Sequence, residues 1–180
     1  MSARSVPYRP VGHACGLAVA VLLGALAATA CGTSDVSKPK PGRIVLQKSI
    51  DRASLRMTPS AVRARLGSPQ RTSRSSESET GRPIISWIFT RRRLVLKFRQ
   101  LEDKGRRLTD ISTTSPKRRT KGGARVGISE ALLRKRVSGL DCFQMERQRW
   151  CTLGSGAGRP QTIFTLRRNR VTEVRIILTF

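Results

Sequence analysis

Two short stretches, Arg107-Leu108-Thr109-Asp110-Ile111 and Arg170-Val171-Thr172-Glu173-Val174, agree in chemical type at every position, and each closes a half of the chain that opens in the same way. Met57-Thr58-Pro59-Ser60-Ala61-Val62 and Ile128-Ser129-Glu130-Ala131-Leu132-Leu133 both run from an apolar residue through a hydroxyl residue into a helical pattern. Thr58 and Ser129 are placed as helix N-caps, whose side-chain oxygens accept from first-turn amides for about 1 kcal/mol, and Pro59 suits the first helical position. Val62 with Leu66, and Leu133 with Val137, put apolar residues four apart on one helical face. Gly67 and Gly139 are expected to stop the two helices.

Strands are expected after each helix, over 84–89, 93–98 and 107–112, then over 150–153, 162–166 and 171–178. Leu94, Leu96 and Phe98 alternate with Val95 and Lys97, the period of a sheet with one packed face. The segment 70–83, rich in Ser and Arg, is expected to be a loop, and 112–123, with Pro116 and Gly122-Gly123, a joint between the halves. The expected architecture is α+β. Two diverged repeats, 43–116 and 117–180, each pack one or two short helices on an antiparallel sheet.

Arg4 and Arg9 precede an apolar stretch over 14–27 that ends in Ala28-Thr29-Ala30-Cys31, the layout of a secretory signal peptide over 1–30. The cysteine makes it resemble a bacterial lipoprotein signal, in which cleavage precedes Cys31 and its thiol carries the lipid; Ala28 stands where leucine is more usual. Ordinary signal peptidase would cut the same bond, but it would leave Cys31 as an exposed thiol in an oxidising compartment. The expectation is an exported chain, lipid-anchored to the outer face of the cell membrane. Residues 31–42, with Pro39 and Pro41, are expected to form an extended tether, and Lys38 and Lys40 could each gain about 1 kcal/mol beside an anionic membrane surface.

The formal net charge is +25, and removal of 1–30, which holds two basic residues and no acidic one, leaves +23. Such a field gathers anions. Aromatic residues are 4% of the chain, and Trp87 and Trp150 are the only tryptophans, which argues against the base-stacking platforms of single-stranded nucleic-acid binding. Outside a membrane the polyanions left are wall polymers and lipid headgroups. The basic clusters are Arg91-Arg92-Arg93, Arg106-Arg107, Lys117-Arg118-Arg119 and Arg167-Arg168-Asn169-Arg170. Most fall at strand connections, where they either form a shared basic rim that pairs bidentately with phosphate or carboxylate, or are simply solvated turns.

The one histidine, His13, lies in the signal segment, so the usual general base and the commonest metal ligand are missing from the mature chain. No catalytic residue, metal site or cofactor is expected. Gly154-Ser155-Gly156-Ala157-Gly158 lacks the Gly-Lys-Ser/Thr ending of a phosphate loop and reads as a hairpin connection. Cys142 and Cys151 are an even pair in an exported chain and are expected to form a disulfide, worth about 2 to 3 kcal/mol by loop closure.

Met57-Thr58 before a short helix ending Leu66-Gly67-Ser68-Pro69, then Trp87 and a strand with Leu94, Leu96 and Phe98, resemble the BamE (SmpA/OmlA) lipoproteins and, as a tandem pair, the beta-lactamase-inhibitor-protein fold. The second copy has Gly127-Ile128-Ser129 at the helix start and Ser138-Gly139-Leu140 at its end. The resemblance implies a non-enzymatic protein that binds another envelope protein through its sheet. The alternative is electrostatic attachment to anionic wall polymers or membrane lipids through the basic rim.

Overall fold

Capping sets the helices where the pattern requires them. In α1 (Pro59–Leu66) the Thr58 hydroxyl accepts from the Ala61 amide at 3.2 Å, and Gly67, at φ 79°, returns its own amide to the Arg63 carbonyl. In α2 (Glu130–Arg136) the Ser129 hydroxyl accepts from the Leu132 amide at 3.4 Å. The second helix ends earlier than Gly139. Val137 leaves helical geometry at φ −133° while its side chain is buried, so packing ends the helix and Gly139, at φ 70°, only turns the chain onward.

A computed structural model describes residues 42–78 and 80–180, which belong to one compact unit. The expected signal segment 1–30, Cys31, the tether up to residue 41, and Glu79 lie outside the described residues. Three two-residue strands, β1 (Ile44–Val45), β2 (Ser49–Ile50) and β3 (Ala53–Ser54), make a small antiparallel sheet before α1. The chain then lays down β4 (Arg71–Ser76), β5 (Pro83–Phe89), β6 (Leu94–Leu101) and β7 (Gly105–Thr113), and after α2 come β8 (Asp141–Met145), β9 (Gln148–Leu153), β10 (Pro160–Arg167) and β11 (Arg170–Leu178). These eight strands form one sheet in the order β4-β5-β6-β7-β11-β10-β9-β8. The two halves therefore share a single sheet, joined where β7 pairs antiparallel with β11 from Val174–Thr113 to Ile177–Asp110.

The segment expected as a loop over 70–83 is corrected: Arg71–Ser76 is strand β4, paired with β5 from Arg71–Ile88 to Ser76–Pro83. All six of its residues are exposed, so no alternation marks it in the sequence; backbone pairing alone holds it at the edge. The turn itself is confined to the residues between Glu77 and Arg82. Strand β8 at the other edge and the small sheet β1–β3 are likewise additions to the expected set.

The same local arrangement occurs once in each half. The register of β6 with β7 shifts between Lys97 and Phe98, leaving Thr109 as the extra residue of a bulge, and the Thr109 hydroxyl donates to the Lys97 carbonyl at 3.3 Å. The register of β10 with β11 shifts between Thr165 and Leu166, leaving Thr172, whose hydroxyl donates to the Thr165 carbonyl at 3.1 Å. Beside each bulge the chain preceding the helix makes the same two bonds. Arg56 donates to Leu108, which donates to Met57; Gly127 donates to Val171, which donates to Ile128. Aligning Arg107 with Arg170 aligns Ser112 with Arg175, and these two residues are directly opposite across the β7–β11 seam.

One face of the sheet is the core face. Trp87, Phe89, Leu94, Leu96, Phe98, Ile111, Phe164, Val174 and Ile176 cluster there with Val62 and Leu66 of α1, Leu133 of α2, and Ile44, Ile50 and Ala53 of the small sheet. Trp87 and Phe98 stack at 4.7 Å between ring centroids, with the Arg63 guanidinium 5.3 Å over the indole.

The small sheet is tied down by a buried ion pair. Arg118 Nε donates to Asp51 Oδ2 at 2.6 Å, and Arg118 Nη1 donates to Thr113 Oγ1 at 3.1 Å and to the Arg92 carbonyl. The Gly42 amide donates to Asp51 Oδ1 at 2.7 Å. Replacing Arg118 by Met strands the Asp51 charge and should cost about 3 to 5 kcal/mol in urea unfolding. Adding Asp51→Asn should return part of that loss, because no charge is then left buried; equal or greater destabilisation in the double variant would contradict the account.

Candidate binding surface

Both helices and the small sheet lie over the core face, and the register defines what stands on the other. One row of directly opposed residues crosses all eight strands: Arg71, Ile88, Val95, Ser112, Arg175, Ile163, Thr152 and Asp141. A second row runs Ser73, Ser86, Lys97, Asp110, Ile177 and Gln161, and a third runs Phe143, Trp150, Thr165 and Glu173. Apolar side chains are thus spread over this open face among hydroxyls and a few charges.

Two of the charges near its centre are spent on each other. Arg175 Nε donates to Asp110 Oδ2 at 2.8 Å, and Arg175 Nη2 donates to the same oxygen. Burial alone would lower the Arg175 pKa; the hydrogen bond and charge of Asp110, with Glu173 adding to them, more than offset it, so the net direction is up. Arg99 Nη1 donates to Glu77 Oε1 at 2.7 Å, and its guanidinium lies 5.5 Å over the Phe180 ring.

The arginines sort by strand direction. Leu94 begins β6 opposite Thr113, the last residue of β7, and Thr113 is opposite Val174 of β11. The turn carrying Arg91, Arg92 and Arg93, the segment with Lys117 and Arg119, and the turn with Arg167, Arg168 and Arg170 therefore share one end of the sheet. Three strand spacings, about 14 Å, separate the two turns. Arg106 and Arg107, at the start of β7, are at the opposite end, so the expected single rim loses them. Arg118 leaves the rim as well, because Asp51 buries it. Arg119 is exposed and held through its backbone, which pairs with Gly42 and Ile44. Arg170 is exposed and donates to the Gly127 carbonyl at 3.0 Å.

Sequence reasoning did not single out Arg147, Arg149 or Arg52, which join the same end. A cleft of about 610 Å³ between two adjacent turns is lined by Met145, Glu146, Arg147, Gln148, Trp150, Arg167 and Arg168. A second, of about 430 Å³, has Arg52, Arg91, Arg92 and Lys117 around the Asp51–Arg118 pair. Their only sequence signal is a basic residue at a turn, and which turns lie together depends on register.

Cys142 and Cys151 form the expected disulfide, joining directly opposed residues of β8 and β9. The Glu130 carboxylate lies within 4.8 Å of both sulfurs, a grouping with metal-ligand types. All three are committed, the sulfurs to each other and Glu130 to Arg149 at 2.7 Å and Arg134 at 3.0 Å. Among the described residues no helix is long and apolar enough to cross a membrane.

No family model and no curated protein matches the chain. Solved structures similar to it include YjgB, a DUF4309 family protein from Bacillus subtilis, at 13% identity and TM-score 0.43, over 77% of this chain and 88% of that one. Another is the uncharacterized protein YfeY from Escherichia coli, at 11% identity and TM-score 0.46, over 77% of this chain and 99% of that one. A cysteine-rich secretory protein from Staphylococcus aureus gives 9% identity and TM-score 0.37, over 66% of this chain and 41% of that one. None is a BamE relative by its description, and the expected family gains no support from them.

Burial raises the Glu130 pKa, and the hydrogen bonds and charges of Arg149 and Arg134 outweigh it, leaving the carboxyl below its ordinary 4.5. A lowered folded value stabilises above the ordinary one and is lost as pH falls through the folded one. The stability difference between wild type and Glu130→Gln should be full at neutral pH and shrink below about pH 4.5. A difference that stays constant into strong acid would show that the carboxylate charge is not what Arg149 and Arg134 hold.

Proposed function

We propose that the protein is a non-enzymatic binding protein of the cell envelope, exported by residues 1–30 and held at the membrane by lipid on Cys31, that docks another envelope protein on its open sheet face. The observation that carries this reading is the make-up of that face: Ile88, Val95, Ile177 and Trp150 stand half-buried on one eight-stranded surface, and two of its central charges, Asp110 and Arg175, already pair with each other. Such a surface offers apolar contact at its centre, with Lys97 and Glu173 left to meet polar groups of a partner.

The halves are read as diverged copies of one helix-plus-meander unit. The matched bulges at Thr109 and Thr172, their matched hydrogen bonds, and the matched pairing of Met57 and Ile128 beside them support this. A dyad of that kind would pass by Ser112 and Arg175.

A second reading is electrostatic attachment to anionic wall polymers or lipids, favoured by the gathering of Arg91, Arg92, Arg93, Arg119, Arg167, Arg168 and Arg170 at one end of the sheet. Salt separates the two. A single envelope protein retained by the immobilised full chain at about 1 M salt, where the screening length falls to about 3 Å, supports docking; release of polymers alone at moderate salt supports the charge reading and defeats the first. Cys31→Ala should free the protein from membranes, and its retention there through a high-salt wash would show that lipid is not the anchor.

A further inference from the structure

The two edges of the sheet are built differently. At one edge β4 reads Arg71-Thr72-Ser73-Arg74-Ser75-Ser76, exposed throughout and carrying charge of the kind that discourages strand addition. At the other, β8 keeps unbroken register with β9 from Asp141–Thr152 to Met145–Gln148 and contains no proline, lysine or bulge. It presents Phe143 and Met145 at 40% and 47% exposure, and the Phe143 ring is 6.3 Å from that of Trp150.

The Cα atoms of Cys142 and Cys151 are 4.0 Å apart, the close spacing of a non-hydrogen-bonded pair. Alternation then gives Gln144, opposite Arg149, the same status. The N–H and C=O groups of Cys142 and Gln144 therefore point away from β9, off the edge of the sheet. The disulfide already fixes β8 to β9, so a strand arriving there does not have to order its own template.

Charge identifies the visitor. Arg147, Arg167 and Arg168 line the cleft at the turn end of β8 and have no side-chain hydrogen bond or ion pair among the described residues; Glu146 is the one acid lining it. A second copy of this chain would bring the same cations and the same net excess of positive charge to the edge. We propose that β8 takes an extended segment of a protein partner as a ninth strand, with apolar residues beside Phe143 and Met145 and an acidic end that turns past β8 into the cleft lined by Arg147, Arg167 and Arg168. This rests on the docking reading and names where on the sheet the partner is held and what its chemistry is.

The probe is a peptide of about ten residues, alternating valine and threonine and ending in three glutamates, compared with one ending in lysines. With the full, disulfide-bonded chain, the glutamate peptide should bind and slow hydrogen exchange at the Cys142 and Gln144 amides by at least about tenfold. Gln144→Pro removes an edge-facing N–H that β9 does not use, a position where a sheet tolerates proline, and should abolish binding. Met145→Lys, a milder change, should weaken it, and Arg147→Glu with Arg168→Glu should reverse the preference to the lysine peptide. Failure of both peptides to bind, protection of other amides, or full binding by Gln144→Pro and Met145→Lys would overturn the proposal. If Gln144→Pro still captures a protein that resists high salt, docking stands and the β8 edge is wrong; if the wild-type chain captures none, the docking reading itself fails.

Discussion

Four opposed pairs between β7 and β11, from Thr113–Val174 to Asp110–Ile177, make one sheet out of two meanders. The seam is short compared with the neighbouring β6–β7 and β10–β11 pairings, and it is braced on both sides. Ile111 and Ile176 are opposed and fully buried on the core face, while Asp110 and Arg175 pair on the other. Backbone hydrogen bonds alone contribute little net stability in water, so burying apolar surface on one side and pairing a sequestered carboxylate on the other explains why the halves stay in register. The bulges at Thr109 and Thr172 sit just beyond this seam, one in each of its strands, and bonding to Arg56–Met57 and Gly127–Ile128 brings the start of each helix onto the core face. Each helix start is thus tied to a strand of its own half, α1 to β7 and α2 to β11.

One buried ion pair is enclosed by its own hydrogen-bond partners. The Asp51–Arg118 pair would be costly to bury alone, but Gly42 donates to Asp51, and Thr113 and the Arg92 carbonyl accept from Arg118. One result is that the small sheet and the joint between the halves are fastened to the turn after β5. Another is that one of the many arginines is withdrawn from the surface. The positive charge left outside is unevenly placed, concentrated at the end where the turns after β5, β8 and β10 emerge.

Much of the local structure was legible before the fold. Thr58 and Ser129 cap their helices because a hydroxyl before an apolar-periodic run satisfies amides within a few residues, a problem solved without distant partners. Leu94, Leu96 and Phe98 announced a half-buried strand because side chains alternate strictly along it. The Cys142–Cys151 bond followed from an even pair of thiols in a chain read as exported. Strands β4 and β8 were not legible: β4 has no buried face and so carries no alternation, and β8 packs only Cys142 against the core, too little to set a pattern.

The sequence by itself determined what depends on neighbours along the chain: the capped helices, the alternating strands, the disulfide and the large excess of positive charge. Only the tertiary structure decided which arginines are surface charges and where they lie. Arg118 and Arg119 are adjacent in the chain, yet one is buried against Asp51 and the other is exposed. Arg106 and Arg167 each stand at the turn end of a strand, yet strand direction sends them to opposite ends of the sheet. The physical reason is that burial and register are set by contacts between residues far apart in sequence, and a guanidinium has the same intrinsic chemistry wherever the fold puts it.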